Sequence, residues 1–446
     1  MTIQIDLNDA IFALSDALDL VGIDEVAHGK RVGYMAFKCA EVMGLDKPGR
    51  ERLCQIGLVH DIGVSSSQIH HHLVTEMQWQ HDEDHAITGE MLVNQSIHLE
   101  NFSRAIRHHH TPWSRLRKLP GLQQKDKLDA NLIFLVDRVD ALSAPHYTHD
   151  LQLQIETIRQ RITALGDDLF CPSLVDVFLK ASQADSFWLM LEPPHLDRFM
   201  NDMRAMTDPR YIQNRDVTDI ARIFAQVVDA KSTFTFDHSI GVASLSGFLA
   251  SRLGFDREIQ SKIEIAGLLH DLGKLRIPDE ILENPGSLGH QDMLTMHRHS
   301  FETYQVLREI KGFEEIALWA AYHHERPNGS GYPFRRSASE LGREARIIAV
   351  ADVFQALAQE RPYRKAMALP QICDILRQMA KDELLDHDIV DYVIRNPREC
   401  HQQALGLSAQ LKRAWKQASI ETDHAPMASD SATMPSFTRS DKSPRF

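Results

Sequence analysis

One pattern of histidines and aspartates occurs twice, in the same order, in the two halves of this 446-residue chain, and it constrains the fold more than any other feature. In the C-terminal half His238 precedes the adjacent pair His270-Asp271 by 32 residues, and in the N-terminal half His28 precedes His60-Asp61 by 32. His299 follows His270 by 29 residues, and His85 follows His60 by 25. A His-His pair comes next: His323-His324, 24 beyond His299, and His108-His109, 23 beyond His85. Asp352, 28 after His324, answers Asp137, 28 after His109. Local sequence agrees, GLLHDLGK with GLVHDIGV and RIIAVADVFQAL with NLIFLVDRVDAL. One duplication accounts for this better than chance.

The repeated segments carry apolar residues at three- and four-residue intervals, as in IEIAGLLHDLGK and ARIIAVADVFQALAQ. No sustained alternation of period two points to a large sheet. The expected class is therefore all-α: two related helical bundles, over 1–147 and 215–420, joined by a helical connector at 148–214. Breaks are expected at Cys171-Pro172 and Glu192-Pro193-Pro194. The stretch 421–446 is rich in Ser, Thr, Pro and Asp and is expected to be a disordered tail.

An apolar fraction of 43% and a charged fraction of 25% are those of a soluble globular chain with a large core. A net charge of −13 argues against a nucleic-acid polymer or an anionic membrane as partner. An anionic substrate would need metal ions or a few placed Lys and Arg. The five cysteines are widely spaced with no CxxC pair, which predicts reduced thiols in a cytoplasmic protein. The first twenty residues have acids and no basic region, unlike a signal peptide. No apolar run reaches the roughly 18 residues of a membrane span. Whether the chain forms a homodimer is left open.

Imidazole and carboxylate together suit Fe, Mn, Zn or Ni. In an adjacent His-Asp pair near a helix end, the His can bind one ion while the Asp bridges two. Neighbouring His323 and His324 would project roughly 100° apart on a helix, and so are expected to reach different ions. Two metals about 3.5–4 Å apart can hold a bridging hydroxide and clamp a phosphate for in-line attack.

The stretch from about Val217 to Leu369 resembles the HD-GYP subgroup of the HD phosphohydrolases. The resemblance is carried by HDLGK (His270 to Lys274), HHE (His323 to Glu325), GSGYP (Gly329 to Pro333) and RPYR (Arg361 to Arg364). It implies hydrolysis of cyclic di-GMP or 3′,3′-cGAMP to a linear dinucleotide with a 5′ phosphate. It also implies metal ligation by His238, His270, Asp271, His299, His323, His324 and Asp352, with His299 preferred over His297. Phe234 stands where three-metal relatives carry an acid, so two divalent ions are expected, Fe or Mn first and Ni or Zn next. Asp271 and Lys274 take the catalytic roles, Lys274 by offsetting charge at phosphorus. Gly331, Tyr332, Pro333, Arg361 and Arg364 join Lys274 as substrate contacts: the arginines for phosphate, Tyr332 as a face for a base. Glu325 is expected to orient a ligand histidine.

The N-terminal half retains a candidate second metal site: His28, His60, Asp61, His85, His108, His109 and Asp137. Asp24 stands one turn before His28. The substrate apparatus is missing. Val64 replaces the lysine, His110 the glutamate, Thr111-Pro112-Trp113 the loop, and His146 stands at the position of Arg361. A regulatory or packing domain, a metal-loaded structural domain, and a second hydrolase that removes the 5′ phosphate are all open. For the whole chain, a non-catalytic dinucleotide receptor and a hydrolase of another nucleotide compete. The complete ligand set with Lys274 weighs against the first, and the GYP and RPYR motifs against the second.

Overall fold

The computed structural model describes residues 3–21, 27–64, 66, 82–147, 149–231, 238–360 and 365–406. Asp24, Phe234, Arg361, Arg364 and the 421–446 tail lie outside the described residues. The first half runs β1 (Gln4–Asp6), α1 (Leu7–Asp19), α2 (His28–Val42), α3 (Lys47–Val59), α4 (Asp82–Val93), α5 (Ser103–His108) and α6 (Gln124–Ser143). Four helices follow: α7 (Leu151–Ala164), α8 (Pro172–Ala181), α9 (Asp185–Leu189) and α10 (Pro193–Met206). The second half runs β2 (Tyr211–Gln213), α11 (Arg215–Ala230), α12 (His238–Arg252), α13 (Arg257–Leu269), a 3-10 turn (Leu272–Arg276), α14 (His290–Leu307), α15 (Glu314–Ala321), α16 (Arg343–Ala358), α17 (Leu369–Lys381) and α18 (His387–Arg395). Helices α1 to α6 recur as α11 to α16.

Local chemistry explains the matching boundaries. Asp46 and Asp256 cap α3 and α13, each accepting from a backbone N–H three residues on, at 2.9 Å. Asp256→Ala should cost about 1 kcal/mol in chemical denaturation, and an unchanged midpoint would contradict the cap. Along α11, Val217, Ile220, Ala221, Phe224, Val227 and Val228 are buried, the stripe of a helix with one covered face. Helices α8 and α10 begin at Pro172 and Pro193, where a missing N–H costs nothing.

The connector helices do not stand apart. Helices α8 and α10 lie on α2, and α7 and α8 on α6. The two halves meet about a local two-fold arrangement. β1 and β2, each leading into the first helix of its half, pair antiparallel with Ile5 opposite Ile212. Helix α1 packs on α14 and the 3-10 turn, and α11 packs on α4. Gln95 and Gln226 exchange amide hydrogen bonds of 2.7 and 3.0 Å across this contact. This small sheet has no counterpart in the sequence reading, because three-residue strands are too short to show a period.

Two glycines set how closely each His-Asp pair approaches the next helix. A Cβ on Gly273 would lie 2.0 Å from the His299 carbonyl oxygen, and one on Gly63 1.9 Å from that of His85. The 3-10 turn and α14 can touch at backbone distance only because residue 273 has no side chain.

Candidate metal centres

In the C-terminal bundle, His238 opens α12, His270-Asp271 follow α13, and His299 lies in α14. His323 and His324 come just past the end of α15, and Asp352 sits mid-way along α16. All are buried except His324, which is half-buried.

Three of these imidazoles are held alike. His270 Nδ1 lies 2.7 Å from the Gly267 carbonyl oxygen, His299 Nδ1 2.6 Å from that of Met296, and His323 Nδ1 2.7 Å from that of Ala320. A carbonyl only accepts, so each Nδ1 carries the proton. Burial disfavours a second proton, holding His299 down to about 4 and His323 well below its usual value. Their Nε2 atoms then carry lone pairs and no proton, yet they face each other at 3.2 Å, with the Ser300 hydroxyl also 3.2 Å from that of His299. Two lone pairs at that distance call for a cation. At His270 burial also opposes charge, but the Asp271 carboxylate outweighs it and raises the imidazole's affinity for a proton. His270 Nε2 has no hydrogen-bond partner among the described residues.

Asp271 joins the cluster's two sides. Its Oδ1 faces His299 Nε2 at 3.6 Å and His323 Nε2 at 3.8 Å. Its Oδ2 faces His270 Nε2 at 3.2 Å, His238 Nε2 at 3.8 Å and the Lys274 ammonium at 2.5 Å. Burial alone would raise this carboxyl, but His270 and Lys274 hold it well below the usual range. Asp352 lies 3.0 Å from His238 Nε2. The residues fit a pair of metal ions, with three-donor groups His238/His270/Asp352 and His299/His323/His324 on either side of Asp271.

Several expectations need correction. His323 and His324 are not splayed by a helix: α15 ends at Ala321, and past it their rings sit 4.0 Å apart beside His299, while His323 alone also groups with His270 and Asp271. Glu325 does not orient a ligand. Its carboxylate accepts the backbone N–H groups of Phe334, Arg335 and Arg336 at 2.6, 3.1 and 2.8 Å. It pins the loop that carries Tyr332. Glu325→Ala strands three amides and should cost about 2–4 kcal/mol, with faster amide exchange at 334–336 as the readout; unchanged exchange would refute it. Gly331 fits where no other residue does, since a Cβ there would meet Glu325 Cα at 2.5 Å. The Tyr332 ring is not open on both sides, as His297 lies parallel to it at 3.6 Å.

The N-terminal centre repeats the arrangement in a different register from that expected. His60 Nδ1 lies 2.9 Å from the Gly57 oxygen and His109 Nδ1 2.6 Å from that of Ile106. His85 and His109 face each other through Nε2 at 3.1 Å. Asp61 Oδ1 faces His85 and His109 at 3.4 and 3.6 Å, and Oδ2 faces His60 and His28 at 3.4 and 3.7 Å. His28 Nε2 lies 3.5 Å from Asp137. His109 is therefore the counterpart of His323, and His110, 4.1 Å from it, the counterpart of His324. His108 belongs to none of the metal groups, whereas His110 joins Asp61, His85 and His109. Thr111, not His110, occupies the place of Glu325.

Sequence reasoning missed the surroundings of His28. Its Nδ1 bonds Asp140 at 2.8 Å, and the Arg31 guanidinium holds the same carboxylate at 2.6 and 3.0 Å. Tyr147 also donates to Asp140. Burial opposes a charge on His28, but Asp140 outweighs it and lifts the group to about 9. A carboxylate behind a ligand histidine raises its basicity and fixes its ring. The signal was Asp140 itself, one turn beyond Asp137 in α6. Gly241 and Gln355 stand where Arg31 and Asp140 would fall in the second half. Arg138 is buried with its guanidinium 2.8 Å from Asp137, and Val353 takes its place in the second half.

Two helical bundles, each wrapped around a His/Asp cluster shaped for a metal pair, define a tandem HD-domain protein. The HD domain family matches residues 26–142 and again 201–389. The 3′3′-cGAMP-specific phosphodiesterase 1 of Vibrio cholerae is 36% identical over 412 residues, spanning 91% of this chain and 95% of that protein. The cyclic di-GMP phosphodiesterase response regulator RpfG of Xanthomonas campestris is 33% identical over 203 residues, 45% of this chain and 53% of that protein. The crystal structure of the Vibrio cholerae cyclic GMP-AMP specific phosphodiesterase V-cGAP3 shares the fold. Its TM-score is 0.60 at 22% identity, covering 91% of this chain and 98% of that one. The chain belongs to the HD-GYP family of cyclic dinucleotide phosphodiesterases. No helix among the described residues is long and apolar enough to cross a membrane.

Proposed function

We propose that the C-terminal centre hydrolyses one phosphodiester of a cyclic dinucleotide, 3′,3′-cGAMP ahead of cyclic di-GMP, and releases a linear dinucleotide with a 5′ phosphate. The observation that carries this is the set of bare Nε2 atoms gathered about Asp271, with the Lys274 ammonium beside them. The order of substrates rests on the relative matched across 91% of this chain, which is named for 3′3′-cGAMP. RpfG, named for cyclic di-GMP, aligns with 45% of the chain.

His238, His270, Asp271, His299, His323, His324 and Asp352 would hold two divalent ions, Fe or Mn first and Ni or Zn next. Such ions would supply Lewis acidity and a water of lowered pKa. The chain's own groups do the positioning. The carbonyls behind His270, His299 and His323 fix their tautomers, and Asp271 faces both halves of the cluster. Lys274, one fifth exposed, can swing from Asp271 to a phosphate oxygen and offset charge there. Arg361 and Arg364 grip a substrate phosphate in this reading. The pinned loop with Gly331, Tyr332 and Pro333 forms the wall. Water adds at phosphorus, the bond to the 3′ oxygen breaks, and that oxygen takes up a proton. The division into 1–147, 148–214 and 215–420, and a cytoplasmic setting without nucleic-acid polymer or membrane, belong to the same proposal.

The test is product analysis by chromatography. The protein, purified with iron or manganese, is given cyclic di-GMP or 3′,3′-cGAMP, with His270→Ala/Asp271→Ala as control. A linear dinucleotide formed only by the intact pair is the expected result. Tight binding without turnover in any of the four metals would instead favour a receptor.

The intact N-terminal cluster favours a second reading: that this centre also holds metal and removes the 5′ phosphate from the linear product. His60→Ala/Asp61→Ala should then lower bound metal by about half, measured by elemental analysis, and should abolish phosphate release. An unchanged product pattern, including undiminished phosphate release, would sink the hydrolase reading.

A further inference from the structure

Tyr332 is the motif residue expected to stack a nucleobase, but its ring is already engaged. His297 covers one face, with ring centres 3.6 Å apart and planes 14° apart. His324 crowds the ring from 4.8 Å at 37°, and His299 stands edge-on at 6.3 Å and 81°. The last two belong to the metal cluster. The row of rings thus runs outward from the cluster, through Tyr332, to His297, which is partly exposed. His297 belongs to none of the metal groups.

Its surroundings on α14 are unusual. Nine large apolar side chains are prominently exposed among the described residues, and three of them are Met293, Leu294 and Phe301. They stand four and three residues before His297 and four after it, the positions that share its helix face. An imidazole set among exposed apolar side chains, at the outer end of a row that starts on a proposed metal ligand, presents a flat surface, with the Arg326 guanidinium as a charged neighbour. A purine is flat and apolar on its faces, and base-on-aromatic stacking tolerates any base.

We propose that His297, rather than Tyr332, is the side chain on which a purine of the substrate stacks, with Tyr332 as the positioning ring that holds the imidazole. This rests on the cyclic-dinucleotide reading above. It assigns His297 to binding rather than to bond cleavage, so its loss should fall on KM and spare kcat.

The test compares His297→Ala and His297→Phe with the unaltered chain on 3′,3′-cGAMP, on cyclic di-GMP, and on bis(p-nitrophenyl) phosphate, a diester without a purine. His297→Ala should raise KM for the dinucleotide about tenfold with kcat within about twofold, from the usual worth of one stacked base. His297→Phe should restore most of the loss, and the small diester should show no change. Equal losses on both kinds of substrate would mean that His297 only props the loop, and an unchanged KM would remove it from the site; either overturns the proposal. A second readout needs no turnover: a cyclic dinucleotide phosphorothioate carrying 2-aminopurine should lose fluorescence on binding the unaltered and Phe forms, much less with the Ala form. Should the unaltered chain cleave only the small diester, the substrate reading fails. The stacking proposal then stands or falls on whether the quenching depends on His297.

Discussion

Asp271→Ala should lower phosphodiesterase activity on the order of 10³-fold or more. It should also empty the C-terminal centre of metal while leaving the helical circular dichroism in place. The expectation follows from where the two oxygens point. Oδ1 faces His299 and His323, Oδ2 faces His270 and His238, so one deletion removes a donor from both sides of the cluster. The imidazoles keep their tautomers, since their partners are the carbonyls of Gly267, Met296 and Ala320. Asp271→Asn keeps the volume and loses the charge, and should fail nearly as badly. Elemental analysis beside the activity assay decides the matter. A variant that retained both ions and lost only rate would contradict a carboxylate shared between them.

The second large effect is on stability. Gly273→Ala should destabilise the chain by about 3 kcal/mol or more, as overpacking against backbone cannot be relieved by a rotamer change. The added carbon would sit 2.0 Å from the His299 oxygen and 2.8 Å from Thr303 N. The turn would also lose its present ties, Gly273 N–H to Thr303 Oγ1 at 2.9 Å and Thr303 Oγ1–H to the His270 oxygen at 3.1 Å. Because these atoms flank three proposed ligands, activity should fall with the midpoint of denaturation. Gly63→Ala should act similarly in the first half, while Gly406→Ala, with nothing within 4 Å, should stay within about 0.5 kcal/mol. Equal midpoints for Gly273→Ala and Gly406→Ala would show that the two backbones separate freely.

The repeat was legible because each ligand type recurs with the same neighbours, and helices with a buried stripe announce their period. The capping aspartates Asp46 and Asp256, and the prolines that open α8 and α10, are local signals of the same kind. One register was misread. Counting back 28 residues from Asp137 lands on His109, as it does from Asp352 to His324, and that drew His108 into the pair. Counting forward 24 from His85, as from His299, reaches His109 and makes His110 its partner. The distance from the pair to the aspartate crosses a loop, which tolerates a one-residue change. What marks the first histidine of the pair is a local contact, its Nδ1 on the carbonyl three residues back, which His109 and His323 both make.

The sequence by itself determined the class of fold, the duplication, the family and most members of the candidate metal groups, because these depend on residue type and spacing along the chain. Tertiary structure alone decided which atoms face each other. It turned Nε2 of His299 toward Nε2 of His323 and spread Asp271 between two groups. It sent Glu325 to the loop amides, placed Asp140 and Arg31 behind His28, and laid His297 on Tyr332. It also brought the two halves together through Ile5 and Ile212. Each of these joins residues from separate elements, and their separation in sequence carries no trace of the angle at which those elements meet.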